Sequence, residues 1–112
     1  MDGILRIVSD NIALYMKTHG MSQVDLAALL GISPSAVRSW IKYDKFPRPA
    51  QIDKICQIFN CTYEDLVTPQ TDEKIVNDYL TEKILMMVAM LNDEGKQKVI
   101  SYIDDIYERF RK

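Results

Sequence analysis

The stretch that most constrains the fold of this chain lies at residues 21–40, with the sequence MSQVDLAALLGISPSAVRSW. It contains two short segments with apolar residues at helical spacing, separated by Gly31. Ser22 can cap the first segment, and Asp25 three residues later nearly completes a capping box. A Ser-Pro pair at 33–34 starts the second segment, with Ser as the cap and Pro at the first helical position. Two short helices joined by such a Gly-containing turn predict a helix-turn-helix arrangement.

The second of these helices has two contrasting sides. Its bulky apolar residues, Val37, Trp40 and Ile41, fall on one side and are expected to point inward. The opposite side is small near the start of the helix and basic further along, and it carries Ser35, Arg38, Ser39 and Lys42. Small residues allow close approach to base-pair edges, and cations can meet the flanking phosphates. This face therefore predicts DNA contact, although the spacing alone also fits a solvated helix face.

The first part of the chain, residues 1–68, is expected to hold five helices. Apolar periodicity indicates helices over residues 4–17, 50–59 and 62–67 in addition to the helix-turn-helix. Gly31 and Asn60 are expected to end helices, because both residue types tolerate a left-handed backbone. Charge separates this part from the rest, since residues 1–60 carry seven Lys/Arg and five Asp/Glu whereas the remaining residues carry seven and eleven. A net charge of −2 excludes a uniformly basic nucleic-acid binder and favours polyanion contact by the front half only.

The second part, residues 69–112, is predicted to be a helical hairpin with a turn at 92–95. Both of its helices carry more bulky apolar residues than one partner helix needs. The residues assigned to dimerisation are Leu80, Ile84, Met87, Val88, Leu91, Val99, Ile103, Ile106 and Phe110. This excess of apolar surface predicts a partner, and closed twofold symmetry favours a second copy of the chain. The Met-rich stretch 84–91 also fits an adaptable groove for a different protein, and packing within one chain is the third alternative.

The sequence contains no catalytic or metal-binding constellation. Its single histidine, His19, follows the first helix and is expected to be exposed, and Cys56 and Cys61 stand five apart without a CxxC pair. No zinc site or nucleophile–base pair can be built from these residues, so neither an enzyme nor a cofactor nor a metal is expected. The cysteines are expected to be small buried residues in a reducing cytosol. No signal peptide is visible and the longest apolar run, 84–91, is too short to span a bilayer, which predicts a cytoplasmic protein.

Residues 4–67 resemble the lambda-repressor-like, Cro-type helix-turn-helix family, also called the xenobiotic-response-element family. The matching residues are Ser22, Gln23, Leu26, Ala27, Leu30, Gly31, Ile32, Ser33, Val37, Trp40, Phe46, Pro47, Phe59, Asn60, Cys61, Thr62 and Leu66, with no insertion in their spacing. The resemblance implies a five-helix domain that binds operator DNA, usually as a dimer, through its second and third helices. The tail after Leu91 is similar to helical extensions on some bacterial and phage regulators of this type.

The resemblance and the residue chemistry together assign two sets of DNA-contacting residues. Those expected to face bases in the major groove are Pro34, Ser35, Ala36 and Ser39. Those expected near phosphates are Ser22, Gln23, Ser33, Arg38, Lys42 and Lys45. Arg48, in the loop that follows, fits either phosphate clamping or solubility.

Two departures from the family pattern affect these assignments. Ile41 and Tyr43 stand where relatives often have an acid and a Gly, so the loop after the third helix is expected to follow another path. Pro34 offers no polar atom where relatives often have Gln, Arg or Lys. Base reading is then expected to rest on a few hydroxyl groups, supplemented by DNA shape and bridging water.

The resulting prediction is a sequence-specific, homodimeric transcriptional regulator, a repressor from a bacterium or phage. Its third helix, about 33–42, would enter the major groove of a double-stranded DNA operator. No small-molecule effector is indicated. The alternative is an antitoxin or adaptor whose C-terminal hairpin binds another protein, with DNA binding secondary.

Overall fold

The computed structural model describes residues 3–112, which form seven α-helices and no β-strand. The helices are α1 (Gly3–Thr18), α2 (Gln23–Leu30), α3 (Pro34–Ile41), α4 (Pro49–Phe59), α5 (Tyr63–Val67), α6 (Asp72–Ala89) and α7 (Asp93–Phe110). The predicted all-α fold, five helices followed by a helical pair, is confirmed. The chain divides into a first compact unit that ends at Asn77 and a second that comprises Asp78–Lys112.

Reciprocal side-chain caps fix where two helices of the first unit begin. The Ser22 hydroxyl accepts a hydrogen bond from the Asp25 N–H at 3.1 Å, and the Asp25 carboxylate accepts one from the Ser22 N–H at 3.0 Å. The same capping box joins Thr62 and Asp65 at the start of α5. These bonds satisfy N–H groups that the first turn of a helix leaves without a partner, and each cap is worth about 1 kcal/mol.

Left-handed residues end α2 and α4. Gly31 has a φ of 70° and Asn60 a φ of 50°. The Gly31 N–H bonds back to carbonyl groups of α2, and the Asn60 N–H bonds to the Cys56 carbonyl. Both ends were expected from the sequence because Gly and Asn adopt this backbone at low cost.

One apolar core closes the first unit. Its buried members are Val8, Ile12, Tyr15, Met16, Leu26, Ala27, Leu30, Val37, Trp40, Ile52, Ile55, Phe59, Leu66 and Ile75. Full burial of such a side chain stabilises the fold by about 1.5–3 kcal/mol for the larger types. Ile75, in the first turn of α6, is only 2% exposed, and the first unit therefore extends beyond α5 to Asn77.

A buried amide joins α1 to the segment that follows α5. Asn11 is 2% exposed, and its Nδ2 donates to the carbonyl groups of Leu66 and Thr68 at 2.8 Å each. Its Oδ1 accepts a hydrogen bond from the Gln70 N–H at 3.3 Å. Leaving these backbone groups buried and without a partner would cost about 1–3 kcal/mol. Asn11 therefore fixes the path of the segment that follows α5.

The environment of His19 differs from the sequence expectation. His19 is half-buried instead of exposed, because its ring lies edge-on to Phe59 with the centroids 5.0 Å apart. Its Nδ1 also lies 2.9 Å from the Tyr15 carbonyl oxygen. Cys56 and Cys61 are free and half-buried, so they are less enclosed than the sequence suggested.

The turn of the second unit is shorter than predicted. Only residues 90–92 separate α6 from α7, because Asn92 caps α7 by accepting a hydrogen bond from the Gly95 N–H at 2.8 Å. Gly95 therefore lies inside the first turn of the helix and does not break it. A Cβ atom at Gly95 would lie 3.2 Å from the Cβ of Leu91, so glycine permits this close approach.

The second unit leaves most of its apolar side chains open. Met90 is 87% exposed and Phe110 71% exposed, and α7 has no buried residue. Of the residues assigned to dimerisation, those that are exposed are Leu80, Ile84, Met87, Leu91, Ile103 and Phe110, and those that are half-buried are Val88, Val99 and Ile106. Within this unit, α6 and α7 do not pack against each other along their lengths. Among residues 3–112, no helix is both long enough and apolar enough to cross a membrane.

Candidate nucleic-acid interface

The two sides of α3 are separated by burial, as the sequence predicted. Val37 is fully buried and Trp40 is 5% exposed, and they anchor α3 against α1 and α2. Ser35, Arg38 and Lys42 are exposed on the rest of the helix surface. No acidic residue lies within α3, so its outer face combines small groups with positive charge.

The four residues predicted to face bases differ in their accessibility. Pro34 and Ser35 are exposed at the start of α3, whereas Ala36 and Ser39 are half-buried. The Ser39 hydroxyl donates to the Ala36 carbonyl at 2.6 Å. Because that bond uses the only proton of the hydroxyl, Ser39 presents an acceptor to an incoming group.

Three of the residues predicted near phosphates lie at helix starts. Ser22 caps α2 and Ser33 caps α3, and the Ser33 hydroxyl accepts a hydrogen bond from the Ala36 N–H at 3.2 Å. Gln23 is the first residue of α2 and is half-buried. The two hydroxyl groups therefore have a local structural role, and they lie where helix N-termini favour negative charge.

The three cations predicted near phosphates are all exposed. Arg38 lies in the last turn of α3, Lys42 is its C-terminal cap, and Lys45 lies in the loop before α4. Asp44, also exposed, is the one acid in this stretch between α3 and α4. Arg38, Lys42 and Lys45 together give this part of the surface a net positive charge.

A shallow cleft lies beside α3 and extends to the start of α4. It is lined by Ile32, Ser33, Ser35, Ala36, Ser39, Trp40, Lys45, Phe46, Arg48 and Gln51. Phe46 and Gln51 are cleft residues that the sequence assignment did not include. Arg48 occupies the N-cap position of α4, but its side chain makes no capping hydrogen bond. Pro49 is the sequence signal that could have identified Gln51. Because Pro favours the first position of a helix, it places Gln51 in the first turn of α4, directly after the loop.

Tyr43 shapes the loop after α3 through an uncommon backbone conformation. Its φ is 65°, a left-handed value that is costly for a bulky residue. Its hydroxyl donates to the Asp10 carboxylate at 2.5 Å, and the Arg6 guanidinium lies 5.4 Å from the centre of its ring. These contacts with α1 hold the turn, and the hydrogen bond to Asp10 raises the pKa of Tyr43. The residue thus adopts the backbone conformation that Gly favours at a position where relatives often have Gly.

The cysteines are poor candidates for chemistry. Burial is the main cause of a raised pKa at both thiols, and it brings the pKa of Cys61 to about 12. Both groups therefore stay protonated near neutral pH, whereas a nucleophile or metal ligand needs the thiolate. Among residues 3–112, no group of three or more His, Cys, Asp or Glu side chains is arranged to hold a metal ion.

Comparison with known proteins agrees with this geometry. The Cro/C1-type HTH DNA-binding domain family matches residues 11–72, more than half of the chain. The chain belongs to this family. Its Cro/C1-type domain begins within α1, contains α2 and α3, and ends at the first residue of α6. The family is one of DNA-binding domains, so α3 and its cleft lie in the part of the chain that binds DNA.

Two similar proteins extend the comparison beyond the Cro/C1-type domain. Antitoxin PezA from Streptococcus pneumoniae is 26% identical over 89 residues, which cover 80% of this chain and 54% of that protein. The chain thus spans about half the length of this curated relative. A solved structure described as a transcriptional regulator from Listeria innocua has a TM-score of 0.53 and 18% identity, with coverage of 94% of this chain and 96% of that one. The likeness shows a shared fold that includes the helices after the Cro/C1-type domain.

Proposed function

We propose that this protein is a sequence-specific DNA-binding transcriptional regulator that acts as a homodimeric repressor in a bacterial or phage-infected cytoplasm. The observation that carries the proposal is the outer face of α3. It presents exposed Ser35, Arg38 and Lys42 with no acid in the helix, within a domain of a DNA-binding family. A repressor of this kind occupies its operator and excludes other proteins from it.

Base contacts in this proposal come from the start of α3 and from the cleft beside it. Ser35 and the Ser39 acceptor face base edges, and Pro34 and Ala36 allow close approach. Gln51 adds a half-buried amide to the cleft, and its Oε1 is enclosed there without a hydrogen-bond partner among residues 3–112, so a base contact by this amide needs its side chain to turn outward. Phosphate contacts come from Gln23, Arg38, Lys42 and Lys45 with the helix starts at Ser22 and Ser33, and from Arg48.

A single copy of this surface offers few polar groups for base reading. Two copies related by a twofold axis would place two α3 helices in successive major-groove faces about 34 Å apart. The open apolar side chains of α6 and α7 support this arrangement, because exposed patches of this kind mark interaction surfaces. The site would then be a near-palindrome, and its affinity would fall steeply with salt.

Selection of bound DNA from a random pool at moderate salt tests the proposal. We expect enrichment of a near-palindrome whose half-sites are one helical turn apart. A chain with both Arg38→Ala and Lys42→Ala should enrich nothing, whereas Lys54→Ala, which removes an exposed cation from α4 outside the cleft, should enrich the same sequence. Failure of the native chain to enrich any sequence would contradict the proposal.

A second candidate function is an antitoxin or adaptor. The similarity to antitoxin PezA and the exposed Met86, Met87 and Met90 of the α6 region favour it. In this case the second unit would bind a different protein and DNA binding would be secondary. Light scattering on the purified chain separates the candidates, because a persistent monomer with these methionines open favours a different protein as partner, and a dimer favours the repressor.

A further inference from the structure

The turn that follows α3 ends the helix at a tyrosine. Tyr43 has a φ of 65°, and its N–H donates to the Trp40 carbonyl at 3.3 Å. The next two N–H groups, of Asp44 and Lys45, both donate to the Ser39 carbonyl, at 2.9 Å and 3.2 Å. These bonds turn the chain back on the last turn of α3, as a left-handed residue does at the end of many helices.

This turn sets the place from which the Lys45 side chain reaches outward. The bond to the Ser39 carbonyl holds the Lys45 backbone beside α3, and Lys45 lines the cleft together with Ser35 and Ser39. Arg38 needs no such turn, because it lies within α3 itself. The position of Lys45 relative to α3 therefore depends on the backbone at Tyr43, whereas the position of Arg38 depends only on the helix.

Contacts with α1 hold the tyrosine in a backbone conformation that its bulk disfavours. The left-handed region is costly for a side chain of this size. The Tyr43 hydroxyl donates to the Asp10 carboxylate at 2.5 Å, and the Arg6 guanidinium lies 5.4 Å from the centre of the ring. A glycine would reach the same φ without these contacts, but it would leave the turn free to adopt other conformations. The contacts from α1 therefore fix a turn that a glycine would leave adjustable.

The carboxylate of Asp10 is an unexpected neighbour for this loop. Asp10 is exposed, and a negative charge beside a cationic surface opposes the approach of a polyanion such as DNA. The hydrogen bond to Asp10 is the main reason that the pKa of Tyr43 is raised, so the hydroxyl stays protonated and able to donate near neutral pH. The charge of Asp10 thus works against DNA binding, and its hydrogen bond is the feature that can work in favour of it.

We propose that Tyr43 is a positioning residue for DNA binding: its hydroxyl, held by Asp10, fixes the turn that places Lys45 at a backbone phosphate. This inference rests on the proposed function, because it takes DNA to lie against the outer face of α3. It adds α1 to the groups on which binding depends, although neither Tyr43 nor Asp10 needs to touch the DNA. Loss of the hydroxyl releases the turn and weakens the Lys45 contact, whereas contacts made by α3 itself persist.

Combining two substitutions in the full chain tests the proposal. Tyr43→Phe removes the hydroxyl and keeps the ring, and Lys45→Ala removes the cation. We expect each to raise the dissociation constant for duplex DNA by roughly three- to tenfold and to lower the salt slope by at most about 1. The chain with both substitutions should bind only as weakly as Lys45→Ala alone, because the turn then has no cation to place. Fluorescence anisotropy over a range of salt measures both quantities.

The matched control replaces Lys45 by a cation that the turn does not position. Arg38 lies within α3, so the fold-changes of Arg38→Ala and Tyr43→Phe should multiply when the two are combined. General loosening of the domain would make the effect of Tyr43→Phe multiply with both cation substitutions. Urea unfolding followed by Trp40 fluorescence checks that each variant is folded under the conditions of the binding measurement.

The sign of the effect at Asp10 gives an independent measurement. Asp10→Ala removes a negative charge, and by charge alone this should tighten binding to DNA. The proposal predicts the reverse, a loss about equal to that of Tyr43→Phe. Asp44→Ala removes the same charge from the loop but keeps the backbone N–H that bonds to Ser39, so it should tighten binding about twofold.

Three results would overturn the proposal: an unchanged dissociation constant for Tyr43→Phe, multiplying effects of Tyr43→Phe and Lys45→Ala, or tighter binding by Asp10→Ala. Phosphate contacts form on any duplex, so the same series is also measured on DNA of arbitrary sequence at low salt. The role of Tyr43 is then judged even where the native chain selects no operator, a result that refutes only the proposed regulator. Selection of an operator together with multiplying effects would leave the regulator standing and remove the positioning role.

Discussion

The two compact units of this chain use apolar residues in different ways. In the first unit, Ile55 and Leu66 are fully buried, and the core is complete within one chain. In the second unit, Met90 and Phe110 are mostly exposed and no residue of α7 is buried. The contrast teaches that helix formation and core closure are separate: both units are helical, but only the first encloses its apolar side chains. The first should therefore be stable alone, whereas the second should depend on protein concentration.

Truncation of one isoleucine in each unit tests this contrast with the largest expected effect. Ile55→Ala should lower the free energy of unfolding of the first unit by roughly 3 kcal/mol, because it leaves a cavity in a closed core. Ile103→Ala removes the same atoms from an exposed site in the second unit and should leave the free energy of unfolding of the first unit unchanged. Instead it should weaken dimerisation. Urea unfolding followed by Trp40 fluorescence measures the effect on the first unit, and sedimentation equilibrium measures the effect on dimerisation. An equal loss of stability in the first unit from Ile103→Ala would refute the contrast.

Substitutions on α3 should affect DNA binding without affecting self-association. Arg38→Ala should weaken binding to all DNA sequences by roughly tenfold and lower the salt slope by about 1, because it removes one phosphate contact. Ser39→Ala should change the preference at one base position by about 1 kcal/mol. Fluorescence anisotropy with specific and nonspecific duplexes over a range of salt provides the measurement. Equal losses on both duplexes for both variants would remove the distinction between phosphate and base contacts.

The smallest effect concerns the acid stability of the first unit. Hydrogen bonding from the Thr62 N–H is the main reason that the pKa of Asp65 is lowered from its ordinary value of 3.8. A group with a lowered folded-state pKa stabilises the fold fully above its unfolded pKa, and this contribution is lost as the pH falls through the folded value. Asp65→Asn should therefore flatten the loss of stability as the pH falls below 3.8. An unchanged acid titration of unfolding would show that the cap contributes nothing measurable.

Local signals explain which parts of the fold could be predicted from sequence. Ser22, Ser33 and Thr62 cap helices through bonds to residues only three positions away, and Gly31 and Asn60 end helices through their own backbone preference. The apolar spacing that places Val37 and Trp40 on the inner side of α3 is equally local. The domain family followed from the same residues, because the cap, turn and core signals occur together at fixed spacing.

The features that sequence analysis missed depend on partners distant in the chain or on competition between local signals. His19 is half-buried because it meets Phe59, which lies forty residues away. Tyr43 holds a left-handed backbone through Asp10 of α1, a contact that no local pattern reveals. Gly95 suggests a turn, but its N–H donates a hydrogen bond to the Asn92 side chain that caps α7, and Gly95 therefore lies in the first turn of that helix. The sequence predicts that Ser39 faces bases but not that its hydroxyl donates to the Ala36 carbonyl, which leaves this hydroxyl only as an acceptor.

The Asn11 amide ties the beginning of the Cro/C1-type domain to the segment that follows α5. A truncation directly after Val67 would remove Thr68 and Gln70, two of the residues that share hydrogen bonds with this amide. The smallest piece of the chain that keeps this network intact therefore extends past the last helix of the domain, and a shortened domain should be designed to end after Gln70.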